Sequence, residues 1–142
     1  MKILILGSGS FAGQAIFSHY SKIGCSVVGI NRSKPRDSFQ WPWVTDLSPN
    51  SNWHNLNIVD NTNEIIDIIN NTEPDIIVDF MGQGMVAPSW EKPDLWYLTN
   101  LTKKSKILNS IINLKNLKKY IRASTPEVYG SNTKYINELN SF

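Results

Sequence analysis

The chain has 142 residues, of which 41% are hydrophobic and 18% are charged, and its net charge is +2. These values suit a single globular domain over residues 1–142, since a chain of this length buries about 68–70% of the surface that its unfolded form exposes. The net charge is too small to indicate a nucleic-acid or anionic-membrane partner, and no apolar run approaches the length of a transmembrane helix.

The first 30 residues predict a strand, a glycine-rich turn, a helix and a second strand. Lys2–Leu6 and Ser26–Ile30 are short apolar runs of the kind that form buried parallel strands. Gly24 stands where a glycine commonly ends a helix, and Cys25, the single cysteine, is expected to be a small core residue. The helix face that is expected to be buried consists of Ala12, Ala15, Ile16 and Tyr20.

The turn after the first strand carries a dinucleotide-binding fingerprint. Gly7, Gly9 and Ala12 match Gly-x-Gly-x-x-Gly/Ala. Gly7, Ser10 and Gly13 match a second frame, Gly-x-x-Gly-x-x-Gly, with serine in the middle. Glycine lets the backbone approach a pyrophosphate, which the dipole and free N–H groups of a helix N-terminus hold without lysines. The residues predicted to bind the pyrophosphate are Gly7, Gly9, Ser10, Phe11 and Gly13.

The end of the second strand bears on the choice of cofactor. An NAD site of this kind usually has Asp or Glu there, which binds the ribose 2′-hydroxyl. Here Asn31 is followed by Arg32, Ser33 and Lys34. No carboxylate repels a 2′-phosphate, and Arg32 is suited to bind one, so NADP is the predicted cofactor and NAD the second choice. The alternative is that Arg32 and Lys34 are solvent-exposed loop charges.

A long connection over residues 31–53 contains three prolines and three tryptophans. Its tryptophans are expected to pack on the domain edge, or alternatively to flank the adenine or a partner surface. A third strand is predicted over His54–Val59, followed by a helix that Asn61 and Glu64 would begin as a capping box and that Asn70 and Asn71 would end. The buried face of this helix is expected to comprise Ile65, Ile68 and Ile69.

The fourth predicted strand is Asp75–Phe80. The loop after it lies at the edge where open α/β sheets bind ligands, and its glycines let backbone approach a ligand. Ligand contact is therefore favoured over a plain connecting loop. The loop residues assigned to the cofactor are Met81, Gly82 and Gln83.

The last predicted elements are a turn over 88–93, a long helix over 94–113 and a fifth strand over Lys118–Ser124. Lys103, Lys104 and Lys106 are expected on or beside the solvated outer face of the helix. Right-handed crossovers then give an α/β fold, a Rossmann-type doubly wound parallel sheet with five strands in the order 3-2-1-4-5.

Polar residues follow the fifth strand in Ser124-Thr125-Pro126-Glu127-Val128-Tyr129-Gly130. At this edge Thr125 is placed to donate a hydrogen bond to a substrate oxygen, and Glu127 to act as a general base. The alternative is a turn in which a hydroxyl caps a helix.

Five segments, in order, resemble the N-terminal half of the extended short-chain dehydrogenase/reductase family, the NAD-dependent epimerase/dehydratases that act on nucleotide sugars. They are GSGSFAG at 7–13, NIVD at 57–60, PDIIVDFMGQGMV at 74–86, Asn100, and STPEVYG at 124–130. The resemblance implies that Asn57 and Ile58 meet the adenine and that Asn100 belongs to the cofactor site. It also implies that Ser124 and Thr125 lie by the sugar C4 hydroxyl.

Two departures from the family pattern qualify the function. Sugar 4,6-dehydratases carry Thr-Asp-Glu where this chain has Thr125-Pro126-Glu127, which leaves an epimerase or a reductase open. The family's Tyr-x-x-x-Lys pair occurs nowhere in the 142 residues, and the chain ends at Phe142, just before its expected place. The domain is therefore expected to be incomplete at its C-terminus and inactive alone.

The function predicted is the NAD(P)-binding half of a nucleotide-sugar epimerase/dehydratase that works by transient hydride transfer. The alternatives are a non-catalytic NADP-binding regulatory module or an α/β domain for another phosphate ligand. Catalytic roles are predicted for Ser124, Thr125 and Glu127. No metal site is expected, because His19 and His54 lack neighbours at ligand spacing. Cytoplasmic location is the default, and family resemblance implies homodimerisation through the long helix.

Overall fold

The computed structural model describes residues 1–33, 48–130 and 136–137. Within these ranges five parallel strands form one sheet in the order β3-β2-β1-β4-β5, which confirms the predicted topology. The strands are β1 (Lys2–Leu6), β2 (Ser26–Asn31), β3 (Asn52–Asn55), β4 (Ile76–Asp79) and β5 (Lys119–Arg122).

Helices connect the strands and cover both faces of the sheet. They are α1 (Phe11–Lys22), α2 (Thr62–Thr72), α3 (Val86–Glu91), α4 (Pro93–Tyr97), a π-helix over Leu98–Lys103, α5 (Lys104–Ile111) and a 3₁₀ turn over Pro126–Tyr129. Helix α1 packs on one face, and α2 and α5 pack together on the other. In the described ranges, no helix combines the length and apolar content that crossing a bilayer would require.

The centre of the sheet is buried on both faces. Side chains alternate along β1, so Ile3 and Ile5 join Phe17 of α1 on one side. Leu4 and Leu6 join the isoleucines of α2 and α5 on the other. This two-sided burial explains why β1 is a continuous apolar run.

The buried face of α1 differs from the one predicted. Ala12 and Ala15 are exposed, and Ile16 and Tyr20 are only half-buried. Because Gly13 must seat the start of the helix against the glycine turn, the helix presents Gly13 and Phe17 to the sheet instead. The buried residues of α1 are Gly13, Gln14, Phe17, Ser18 and Ser21.

The third strand lies earlier than predicted, at Asn52–Asn55 rather than His54–Val59. Asn57 accounts for the early end, since its Oδ1 accepts from the Val59 N–H at 3.0 Å and its amide donates to Asp60 at 2.9 Å. Such local side-chain bonds compete with a strand ladder. Trp53 lies in β3 and packs edge-on against Phe17, with ring centroids 5.1 Å apart. The predicted packing of Trp41 and Trp43 lies outside the described residues.

Helix α2 begins at the predicted place but without the predicted capping box. Asn61 makes no side-chain cap, because its Oδ1 accepts from the Asn57 N–H and its amide donates to Glu64. Ile65 and Ile69 are fully buried as predicted, and the neighbouring Ile68 is half-buried. The helix continues past Asn70 and Asn71 and ends at Thr72.

The region predicted as a turn over 88–93 is helical instead. Helix α3 begins two residues before Pro88, so this proline lies in the first helical turn, where its missing N–H costs nothing. Pro93 is likewise the first residue of α4. Both prolines therefore start helices rather than break them.

Candidate functional site

The glycine turn is fixed to the end of β2. The N–H groups of Gly7 and Ser8 both donate to the Ile30 carbonyl, at 2.8 and 3.1 Å. Gly7 has a φ of +78°, and a Cβ there would lie 2.8 Å from the carbonyl carbon of Phe80. Glycine is required twice at this position, for its conformation and for the close approach of the loop after β4.

The glycine turn leads directly into the start of α1. Ser10 is the N-cap, and its hydroxyl accepts from the Gly13 N–H at 3.1 Å. A Cβ on Gly13 would lie 2.5 Å from the Gly7 carbonyl oxygen, whereas Ala12 is exposed. The structure thus uses the Gly7–Ser10–Gly13 frame. With no acidic residue in the first turn, helix geometry leaves the Phe11 and Ala12 N–H groups free for an anion.

The residues after β2 border the glycine turn. The Asn31 amide donates to the Ser33 carbonyl at 2.9 Å. A Cβ on Gly9 would lie 2.2 Å from Asn31 Nδ2, so the Asn31 side chain lies against this glycine. Arg32 is exposed and forms no ion pair with the residues that the structure describes. Lys34 lies outside those residues.

A first cleft of about 740 Å³ opens at the carboxyl edge of the sheet, beside the glycine turn. Asn57 and Ile58 line it, but the Asn57 side chain is engaged within its own loop and the Ile58 side chain belongs to the core. The predicted cofactor residues that line the first cleft are Gly7, Gly9, Ser10, Asn31, Arg32, Ser33, Asn57, Ile58, Met81, Gly82 and Gln83.

A second cleft of about 720 Å³ adjoins the first, and the segment Phe80–Gln83 walls both. The exposed residues Ser124, Thr125 and Glu127 line it, in the turn that follows β5, together with Arg122. The three predicted catalytic residues therefore lie together, and the segment Phe80–Gln83 separates their cleft from the cleft beside the glycine turn.

Asn100 lines the second cleft, and its side chain binds the shared wall. Its Oδ1 accepts from the Gln83 N–H and its amide donates to the Gln83 carbonyl, both at 2.8 Å. A Cβ on Gly82 would lie 3.0 Å from the same Oδ1. The position that resemblance assigned to the cofactor site thus holds the loop that borders it.

Lys104 was predicted on or beside the solvated face of the helix, but the structure shows that it is buried. Its ammonium lies 2.8 and 2.6 Å from the two carboxylate oxygens of Asp79, the last residue of β4, and both residues are 1% exposed. The Tyr120 hydroxyl donates to Asp79 Oδ2, and the Met81 N–H donates to Oδ1 at 2.9 Å. Buried charges need such complete pairing.

The π-helix explains why periodicity misplaced Lys104. The residues buried along this segment are Thr99, Lys104, Ile107 and Ile111, so the first step is five residues long. A π turn replaces the i→i+4 bonding of an α-helix with i→i+5, and such turns are frequent at functional sites. Leu101, within the π-helix, and Ile112, after it, are exposed. The signal that was available is Asp79, a carboxylate at the end of a buried strand, which requires a cation.

Burial governs the protonation of this network. It lowers the pKa of the Lys104 ammonium, and the adjacent Asp79 carboxylate opposes that change. Burial, followed by the hydrogen bond to Asp79, raises the pKa of the Tyr120 phenol well above its usual value. The phenol therefore stays protonated and donates at neutral pH.

Metal ligands do not converge in the described ranges, where no three His, Cys, Asp or Glu side chains are grouped to hold an ion. The candidate ligand-binding features there are the helix N-terminus, the two clefts and their shared wall.

The family is decided by comparison of the whole sequence. The model of the GDP-mannose 4,6 dehydratase family matches residues 4–142. The chain belongs to this family. Membership confirms the predicted relationship to the epimerase/dehydratases, and the match covers both the glycine turn and the residues after β5.

Solved structures share the family's fold with this chain. The UDP-Glc/GlcNAc 4-epimerase of Campylobacter jejuni is 17% identical, with a TM-score of 0.79 over 97% of this chain and 41% of the epimerase. The UDP-glucose 4-epimerase of Bifidobacterium longum, solved with NAD+ and UDP, is 21% identical, with a TM-score of 0.79 over 98% of this chain and 42% of that one.

A third relative is the UDP-N-acetylglucosamine 4-epimerase of Methanobrevibacter ruminantium M1, which is 19% identical. Its TM-score is 0.79, over 99% of this chain and 43% of the epimerase. The chain thus spans about two fifths of the length of these enzymes. No curated protein matches the chain.

Proposed function

We propose that the chain is the nicotinamide-dinucleotide-binding part of a nucleotide-sugar epimerase or dehydratase. The observation that carries the proposal is the pair of adjoining clefts at the carboxyl edge of the sheet. One cleft adjoins an anion-binding helix N-terminus, and the other is lined by hydroxyls and a carboxylate. A dinucleotide lying across the shared wall would bring its reactive ring to those polar groups.

The glycine turn fits a pyrophosphate. A Cβ on Gly7 or Gly13 would collide with main-chain atoms, so these glycines let the turn pack closely on the segment after β4 and on the start of α1. In this proposal the N–H groups at the start of α1 bind the pyrophosphate, and the adenosine half occupies the first cleft beside Asn57 and Ile58.

NADP is the proposed cofactor, with NAD as the second choice. The support for NADP is Arg32, which lies exposed on the first cleft without an ion-pair partner among the described residues. A guanidinium there would bind a 2′-phosphate by charge-assisted hydrogen bonds. The support for NAD is that the Bifidobacterium longum epimerase was solved with NAD+.

A nucleotide sugar is the proposed substrate, in keeping with the UDP-sugar epimerases that share the fold. The bound nicotinamide would accept a hydride from a sugar carbon. Ser124 and Thr125 would donate hydrogen bonds to the sugar oxygen, and Glu127 would accept a proton. Cytoplasmic location and homodimerisation are further parts of this proposal.

The second candidate is a non-catalytic NADP-binding regulatory module, which would need no Tyr-x-x-x-Lys pair; residues 1–142 contain none. That pair moves the hydroxyl proton in the family, so we expect the 142-residue chain to turn over no sugar by itself. Sugar-dependent NADPH or NADH formation by the purified chain would contradict this expectation.

Titration of tryptophan fluorescence with NADPH, NADH and AMP tests the cofactor proposal. Loss of charge-assisted hydrogen bonds in Arg32→Ala should weaken NADPH binding about 10–100-fold and leave NADH binding unchanged. Arg122→Ala is the matched control, because Arg122 lines the other cleft and should not affect the preference between the two cofactors.

Each outcome of this titration bears on a different part of the proposal. Equal affinities of NADPH and NADH in both the natural chain and Arg32→Ala would exclude recognition of the 2′-phosphate and leave NAD. Failure of both dinucleotides to bind would overturn the proposed function itself.

A further inference from the structure

Two side chains from one helical stretch hold the two ends of the shared wall. Asn100, in the π-helix, binds both main-chain polar groups of Gln83. Lys104, four residues later, binds the carboxylate of Asp79, four residues before Gln83. The segment between these anchors, residues 80–82, borders both clefts, as does Gln83 itself.

This segment also lies against the glycine turn. The carbonyl carbon of Phe80 and the nitrogen of Met81 lie 2.8 and 2.9 Å from the position that a Cβ on Gly7 would take. A displacement of the segment would therefore change both the wall of the second cleft and the space above the pyrophosphate-binding turn.

The Asp79 carboxylate connects the buried cation to the main chain of the wall. One of its oxygens accepts from the Met81 N–H, while both accept from Lys104 and the second also accepts from Tyr120. Replacing a buried ion pair with apolar groups often leaves stability unchanged or improved, so net stabilisation does not explain the pair. Its geometry offers another reason, because a fixed carboxylate fixes the Met81 amide.

We propose that Asp79 and Lys104 are positioning residues, which hold the segment 80–82 in the place that the nicotinamide half of the dinucleotide requires. The inference rests on the proposed cofactor function. Neither residue needs to touch the cofactor, since both act through the Met81 main chain. The adenosine half is proposed to occupy the first cleft, which the anchored segment also borders, but to bind chiefly beside Asn57 and Ile58, so its binding should depend much less on the pair.

The test uses two double variants that both remove the buried charges. Asp79→Leu with Lys104→Met leaves the Met81 N–H without an acceptor. Asp79→Asn with Lys104→Met keeps a side-chain oxygen for that N–H and is the matched control. Amide hydrogen exchange at Met81, measured without ligand, should be about tenfold faster in the Leu/Met variant and close to natural in the Asn/Met variant.

Ligand titration supplies the second readout on the same proteins. The Leu/Met variant should bind the preferred dinucleotide about tenfold more weakly, while its affinity for AMP stays within about twofold of the natural value. The Asn/Met variant should recover most of the dinucleotide affinity. A purely structural role would lower AMP and dinucleotide affinity together and would overturn the proposal.

The outcomes separate this inference from the proposed function. Natural Met81 exchange and natural dinucleotide affinity in the Leu/Met variant would overturn the positioning role while the cofactor proposal stands. Failure of the natural chain to bind any dinucleotide would overturn the cofactor proposal, and with it the nicotinamide role inferred here. Should the Leu/Met variant not fold, Lys104→Gln, which removes the cation and keeps one donor, replaces it. Unchanged exchange and affinity there would likewise overturn the proposal.

Discussion

Two loops meet at the carboxyl edge of the sheet, and they are shaped in opposite ways. The turn over residues 7–10 and the start of α1 have their form because side chains are missing, since a Cβ on Gly7, Gly9 or Gly13 would collide with neighbours. The segment 80–83 has its form because side chains arrive from residues 17 to 25 positions away, Asn100 and Lys104. Local steric contacts shape the glycine turn, whereas long-range polar contacts hold the wall beside it.

The strongest test of the steric half of this contrast compares two glycines with similar backbones. Gly7 and Gly24 have φ values of +78° and +85°, but a Cβ on Gly24 would meet nothing within 4 Å. Gly24→Ala should cost only the left-handed backbone penalty, about 1–2 kcal/mol. Gly7→Ala should cost about 3–5 kcal/mol, because overpacking against the backbone of Phe80 and Met81 is added.

Urea denaturation of both glycine variants measures the difference. Equal losses of unfolding free energy would show that the two loops can move apart at little cost. Steric contact at Gly7 would then not explain the form of the glycine turn.

The variant Asn100→Ala tests the polar contacts that hold the segment 80–83. This change leaves the N–H and the carbonyl of Gln83 without their side-chain partner, so the free energy of unfolding should fall by about 2–3 kcal/mol. Asn109→Ala, at an exposed position of α5, is the control and should stay within about 0.5 kcal/mol of the natural chain. A loss no larger in Asn100→Ala than in the control would mean that the wall holds without this anchor.

The smallest expected effect belongs to Tyr120→Phe, which removes one donor to Asp79 and should cost about 1–2 kcal/mol near neutral pH. The raised pKa of this phenol adds a pH dependence. Above about pH 10 the unfolded chain loses the phenolic proton and the folded chain keeps it, so the natural protein loses stability as pH rises. The difference in unfolding free energy between the natural chain and Tyr120→Phe should therefore become smaller as pH rises.

Urea denaturation at pH 8 and pH 10.5 measures this narrowing. Tyr97→Phe, at an exposed tyrosine, is the control and should show the same difference from the natural chain at both pH values. A constant gap for Tyr120→Phe would contradict the raised pKa.

The contrast between the loops also separates what sequence could and could not reveal. The glycine turn and the strand order were predictable, because Gly7, Ser10 and Gly13 act within seven residues and each strand is a contiguous apolar run. The buried face of α1 was not predictable, because the contact between Gly13 and the glycine turn orients the helix, and the spacing of apolar residues does not reveal that contact. The burial of Lys104 was not predicted, because regular helical spacing places it with Lys103 and Lys106 on the solvated side. The π-helix that turns its side chain inward has no evident sequence signal.

Most of the predicted site residues line the two clefts at one edge of the sheet, whereas the contacts of the Asn100 side chain were not predicted. Its side chain is occupied by Gln83, which is distant in sequence and reachable only once the fold is formed. Asp79 was predicted only as part of a strand; its buried position indicates a need for polar partners, but sequence does not reveal that Lys104 and Tyr120 supply them.

The π-helix over Leu98–Lys103 makes the length of this segment matter as much as its composition. If the same residues formed an ordinary α-helix, everything after them would rotate by about 100°, the angle that one residue contributes. Lys104 would then leave Asp79, and Ile107 and Ile111 would leave the core that they share with α2. Deleting one residue within the π-helix would instead let an α-helix keep both faces in register, because the five-residue step from Thr99 to Lys104 would become a four-residue step.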